Sequence, residues 1–172
     1  MHFKKTILSV TCLIISTGLT STSHATDVTG SLRAKLAIGE ACILHDGAVL
    51  DFGHTDDLSK DITAETPILD GIIVRCNKGI AFKVGLDNGT NPTGGDAPFQ
   101  RQMTNGNTKL PYGLYQDAER TKPWPDVDDD NVPQGIGTSF LQEFSVFGTL
   151  PKMDTTPSSG DYTDTVKVTL RF

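Results

Sequence analysis

Basic residues are scarce in this sequence once its first 25 residues are set aside. Thirteen Lys and Arg then face twenty-one Asp and Glu over 147 residues, a net charge of −8. Nucleic-acid binding needs clustered cations, so that class is excluded. No polybasic patch is present for an anionic lipid surface either. Histidine is reduced to His45 and His54 in loop-like stretches, without the H-x-x-x-H type of spacing that a metal site uses. Neither a G-x-S-x-G elbow nor a P-loop occurs. No catalytic constellation, cofactor motif or metal-ligand set can be assembled, so the sequence is read as non-enzymatic. Helical periodicity is missing as well: no window of eleven residues after position 25 keeps an i, i+3, i+4, i+7 stripe. After the N-terminal segment no apolar run approaches the ~20 residues that span a bilayer.

That N-terminal segment, 1–25, reads as a cleaved export signal. Lys4 and Lys5 form its positive start, Ile7 to Leu19 its apolar centre, and Ser23-His24-Ala25 its small-residue cleavage site. The remaining 147 residues suit one domain. Cys12 leaves with the signal, and Cys42 and Cys76 remain. An even pair in an exported chain reads as a disulfide. Its loop of about 35 residues is worth roughly 4 kcal/mol in the chain-entropy model. Two cysteines without nearby ligands fall short of a zinc set.

Period-two patterning dominates what is present. Val28, Gly30, Leu32, Ala34, Leu36 and Ile38 alternate with Thr29, Ser31, Arg33 and Lys35. The run on to Leu44 exceeds an ordinary strand, and the break at Gly39-Glu40 divides it into two strands in tandem. Val49 to Gly53 reads as a short strand, 54–64 as a surface loop, and Pro67 to Leu69 as the start of an edge strand. Ile72 to Cys76 is a β-branched core strand, and Ala81 to Leu86 another. A Gly/Asn/Pro-rich loop spans Asp87 to Ala97. A hairpin turns at Asn105-Gly106 between Arg101–Met103 and Leu110–Tyr115. Residues 116–135 read as a long excursion, and Phe140 to Leu150 as another strand or two. A second clean alternation, Tyr162, Val166, Val168, Leu170 and Phe172, closes the chain. Many short strands separated by turns predict an all-β sandwich or barrel.

Two features of the excursion invite a ligand. Asp126, Asp128 and Asp130 match the first three positions of a calcium loop. Asn131 stands where glycine belongs and Gly137 where glutamate belongs, so the 126–131 run is read as a solvated acidic loop. Trp124, between prolines, is read as a pin for its loop in preference to an exposed stacking ring.

With these residues laid out, the sequence resembles the spore coat protein U family, the domain of archaic chaperone–usher (Csu-type) pilins. The matching stretches are Gly39–Cys42, Leu50-Asp51-Phe52-Gly53, Val74–Gly79, Leu86–Gly89, Arg101-Gln102-Met103, Tyr112–Asp117, Phe147–Pro151 and Gly160–Phe172. The chain departs at Asn77, Phe147 and Trp124-Pro125, where the family commonly has Thr, Tyr and Trp-Gly. The resemblance implies an incomplete immunoglobulin-like β-sandwich completed by donor-strand exchange, with residues 26–38 as donor extension and 39–172 as the pilin domain. It implies three partners: a periplasmic pilus chaperone, an outer-membrane usher, and neighbouring subunits in a head-to-tail polymer on the cell surface, serving adhesion and biofilm growth. Donor residues would be Val28, Gly30, Leu32, Ala34, Leu36 and Ile38. Val166, Val168, Leu170 and Phe172 would edge the acceptor groove and anchor the chaperone. The competing readings are an N-terminal edge strand of the same domain, a spore-coat or surface-layer protein without a fibre, and a secreted ligand-binding module relying on Trp124 and the acidic loop.

Overall fold

The structure is a computed structural model that describes residues 26–94 and 100–172. The signal segment 1–25 and the end of the Asp87–Ala97 loop lie outside the described residues. Residues 38–172 form one compact unit, and the described residues of the N-terminal unit, 26–37, contain no strand.

All regular structure among the described residues is β, and every ladder is antiparallel. In chain order the strands are β1 Cys42–His45, β2 Ile62–Glu65, β3 Ile72–Cys76, β4 Ala81–Leu86, β5 Arg101–Thr104, β6 Lys109–Tyr115, β7 Gln134–Ile136, β8 Gln142–Phe144, β9 Phe147–Leu150 and β10 Val168–Arg171. They pair in the orders β1-β3-β8, β10-β4-β7 and β2-β9-β6-β5. The β1–β3 register sets Cys42 directly opposite Cys76, and the two are disulfide-bonded with Cα atoms 4.0 Å apart. Alternate residues of β3, β4 and β6 point inward, so Ile72, Val74, Phe82, Val84, Leu110 and Leu114 form the centre of one apolar core. This is the all-β class that the patterning predicted, in line with the immunoglobulin-like sandwich that the resemblance implied.

Several local expectations are corrected. Of the tandem N-terminal strands only Cys42–His45 forms, because it alone has a ladder partner. Residues 49–53 join no ladder. The polar stretch read as a loop contains β2, whose Ile62 and Ala64 turn inward while Thr63 and Glu65 turn out. Pro67 to Leu69 is a turn: Asp70 N–H donates to the Pro67 carbonyl, and Leu69 takes φ +73°. The Glu143 carboxylate holds that turn by accepting from the Leu69 and Gly71 N–H groups.

The 116–135 excursion packs as part of the core and ends in β7. Trp124 is 2 % exposed, its Nε1–H donates to the Val84 carbonyl at 2.9 Å, and Val127 and Val132 are buried beside the core. Gly85 makes this possible, since a Cβ there would meet the Val127 nitrogen at 2.1 Å.

Candidate functional site

The site is an open groove of about 920 Å³, far larger than a void that a packed interior tolerates. One wall is residues 48–56, ahead of β2; the other is 156–166, running into β10. At its base lie Ile72, Leu86, Leu110, Leu114, Val146 and Leu150, all themselves buried. What the groove leaves open is therefore its rim and the backbone of its two walls.

Among the described residues, neither wall is paired with the other across the groove. Leu50 and Phe52 turn partly inward while Val49, Asp51 and Gly53 are exposed. That alternation is strand-like, yet residues 48–52 form no backbone-to-backbone hydrogen bond among the described residues. Gly148 lets this wall approach, because a Cβ there would meet Leu50 and Phe52 side-chain atoms at 2.5 and 2.7 Å. On the opposite wall Thr163 exchanges both backbone hydrogen bonds with Thr104 of β5, and the Lys167 carbonyl accepts from Asp87 N–H. Strand parity then turns the N–H and C=O groups of Tyr162, Asp164 and Val166 to the other edge, where no backbone partner meets them among the described residues.

Tyr112 of β6 stands between the walls and touches both. Its ring meets Phe52 edge-on at 6.2 Å, and its hydroxyl donates to Asp164 Oδ2 at 2.7 Å. Asp164 Oδ1 accepts from Thr90 N–H and Oγ1–H. Gly89, at φ +73°, leaves room for that carboxylate; a Cβ would lie 2.1 Å from Asp164 Oδ2. Asp87 Oδ1 holds the same wall through Lys167 N–H at 2.9 Å. Burial, then the hydrogen bond to Asp164, push the Tyr112 phenol well above its ordinary value. Directly across the β5–β6 hairpin, Arg101 is 3 % exposed and donates to three carbonyls: Asp87, Leu86 and Trp124. Burial lowers its pKa from the ordinary guanidinium value. These groups fix the groove's far wall to the core; none is arranged as an acid–base or nucleophilic pair.

The residues singled out from sequence fall as follows. Val166 and Val168 line the groove, Leu170 packs on the core, and Phe172 is exposed. Val28, Leu32, Leu36 and Ile38 are 94, 97, 87 and 81 % exposed, so every large apolar residue of the N-terminal alternation faces solvent. Gly30 and Ala34, the small members of that face, are exposed too. His45 and His54 are exposed. In the acidic run, Asp126 and Asp129 cap backbone N–H groups and Asp128 pairs with Arg171 at 2.5 Å. Among the described residues, no three His, Cys, Asp or Glu side chains converge as a metal site would require. The ligand-stacking role considered for Trp124 is overturned by its burial. Tyr112, Asp164 and Arg101 had no assigned role in the sequence reading. Tyr112 and Asp164 were visible only as members of family-like stretches, because their meeting across 52 residues is a product of the fold.

A model of the Spore Coat Protein U domain matches residues 28–169. No curated protein matches the sequence. Among solved structures, the chain is similar to one chain of the crystal structure of the CsuC–CsuE chaperone–tip adhesion subunit pre-assembly complex, from archaic chaperone–usher Csu pili of Acinetobacter baumannii. Identity is 24 %, the TM-score is 0.52, and the match covers 77 % of this chain and 40 % of that one. The likeness is one of fold, and this chain spans less than half the length of its neighbour.

Proposed function

The chain belongs to the Spore Coat Protein U domain family, and from that membership we propose that it is a structural, non-enzymatic subunit of an archaic chaperone–usher fimbria. Its residues 26–38 enter the groove of a neighbouring copy and complete that neighbour's sandwich. The observation that carries this reading is the groove itself, bordered by two walls whose facing edges have no backbone partner among the described residues. A strand laid between them would pair with both, the β-augmentation mode of recognition. Unpaired edges are a standing aggregation hazard, and covering them is favourable.

The exposed N-terminal alternation supplies a matching strand. Burying Val28, Leu32, Leu36 and Ile38 would contribute roughly 6–12 kcal/mol at 1.5–3 per side chain, before ordering costs. Gly30 and Ala34 would let its backbone run close to the groove base. Because donor and acceptor are different surfaces of one molecule, the contact is head-to-tail and grows into a filament. On this reading a periplasmic chaperone fills the groove first, held at the C-terminal strand around Val166, Val168, Leu170 and Phe172. An outer-membrane usher then exchanges it for the next subunit, giving a surface fibre that serves attachment and biofilm growth.

The test is deletion of residues 26–38. Heat- and SDS-resistant multimers should disappear while a disulfide-closed domain persists in complex with its chaperone. Multimers that survive the deletion, or an intact chain that remains a folded soluble monomer without partners, would sink the reading.

A further inference from the structure

The groove and the segment proposed to fill it carry opposite charge. Residues 39–172 hold eleven Lys and Arg against twenty Asp and Glu, whereas 26–38 holds Arg33 and Lys35 against Asp27 alone. The imbalance is concentrated at the groove. Its lining includes Asp51, Asp56, Asp161 and Asp164 and no Lys or Arg. Asp164 is engaged by Tyr112 and Thr90, and Asp51 Oδ1 accepts from Gly53 N–H. Asp56 and Asp161 are exposed on opposite walls, and neither holds a hydrogen bond among the described residues. Lys167 is the lone cation on either wall between 48 and 56 or 160 and 168, and it lies outside the lining.

Strand parity fixes where the donor's cations would go. With Val28, Leu32 and Leu36 turned to the groove base, Arg33 and Lys35 both take the outward face, about 7 Å apart, level with the rim. They would then lie between walls whose exposed groove-lining charges are Asp51, Asp56 and Asp161, with Lys167 outside the lining. We infer that the carboxylate rim and the Arg33–Lys35 face form a charge register that makes a second copy of this chain the preferred donor. The subunit is therefore self-polymerising. A donor with acidic outward positions meets like charge at Asp51, Asp56 and Asp161 and is disfavoured. Complementary charge of this kind acts chiefly on encounter rate, and salt screens it.

The inference rests on the donor-strand reading, and the experiment separates the two. Full chains are assembled in vitro at about 20 and about 500 mM salt, either side of the ~10 Å screening length at 0.1 M, and SDS-resistant multimers are followed in time. Arg33→Glu with Lys35→Glu, both outside the compact unit, should slow assembly about ten-fold or more at low salt. The difference should close at high salt. Adding Asp56→Lys and Asp161→Lys to that variant should restore the parent rate, with Trp124 fluorescence confirming an unchanged fold. An unchanged rate in the first variant, or no rescue in the second, overturns the charge register provided that deletion of 26–38 still abolishes multimers. Multimers that persist after that deletion overturn the donor reading itself.

Discussion

Tyr112 is the residue on which the two groove walls converge, and its titration reports their attachment. In the fold its phenol is held well above the ordinary value of 10.0, first by burial and then by the bond to Asp164. A raised phenol favours the neutral form, so the stabilisation is full below pH 10 and is lost as pH rises beyond it, where the unfolded chain ionises and the folded one does not. The urea midpoint should stay flat to about pH 9 and fall steeply above about pH 10. Tyr112→Phe should lower the midpoint throughout and make that alkaline fall shallower. A residual slope should remain from Tyr115, whose phenol burial also raises. An equally steep fall in Tyr112→Phe would contradict the assignment. Arg101 shows a related economy of side chains: one guanidinium serves three carbonyls, so its burial without a carboxylate partner is compensated by hydrogen bonds. Nothing in the local sequence Phe99-Gln100-Arg101 distinguishes such an arginine from a surface one.

At the scale of elements, core strands whose alternating face is buried were legible, whereas the clean alternation of 28–38 forms no strand and short paired strands went unseen. Ile72–Cys76, Ala81–Leu86 and the β5–β6 hairpin carry β-branched or aromatic residues on a buried face, and they form where the pattern puts them. Ile62–Glu65 hides its two inward residues in a polar neighbourhood, and Gln134–Ile136 is three residues long. Both are strands because a neighbour pairs with them, β9 in one case and β4 in the other. The 116–135 excursion was misjudged for a different reason. It has no periodicity because it is held by a few single anchors, Trp124, Val127 and Val132, and not by a repeating face. Gly85 is the receiving half of that contact. Gly85→Ala should cost about 1–3 kcal/mol by forcing Val127 backbone away from β4. Because Trp124 is the sole tryptophan, its emission should shift to the red in the same variant. Unchanged emission with unchanged stability would mean that the excursion accommodates the methyl group.

For the whole molecule, the proposed function turns an unfinished edge into a source of stability that only assembly supplies. Residues 38–172 form one compact unit that contains every lining residue of the groove, so a chain lacking 26–37 keeps the whole acceptor surface. A synthetic Thr26–Ile38 peptide at 100 times its Kd should stabilise that acceptor by about 2.7 kcal/mol, raising Tm by about 5–10 °C. A peptide of the same composition with its alternation scrambled should not, and an equal shift from both would count against strand donation. Sequence alone determined the β class, the paired cysteines, the acidic balance and the alternation of 28–38, because composition and a period of two are local properties. It marked Leu50–Gly53 and Gly160–Phe172 as family-like stretches, and only the second, through Val166, Val168, Leu170 and Phe172, was read as a groove edge. Only the tertiary structure decided that these stretches lie either side of one groove with unpaired facing edges, that Tyr112 links them, and that the excursion belongs to the core. Those are pairings across tens of residues, and ladder partners, buried carbonyls and room for a missing strand exist only once the chain has closed on itself.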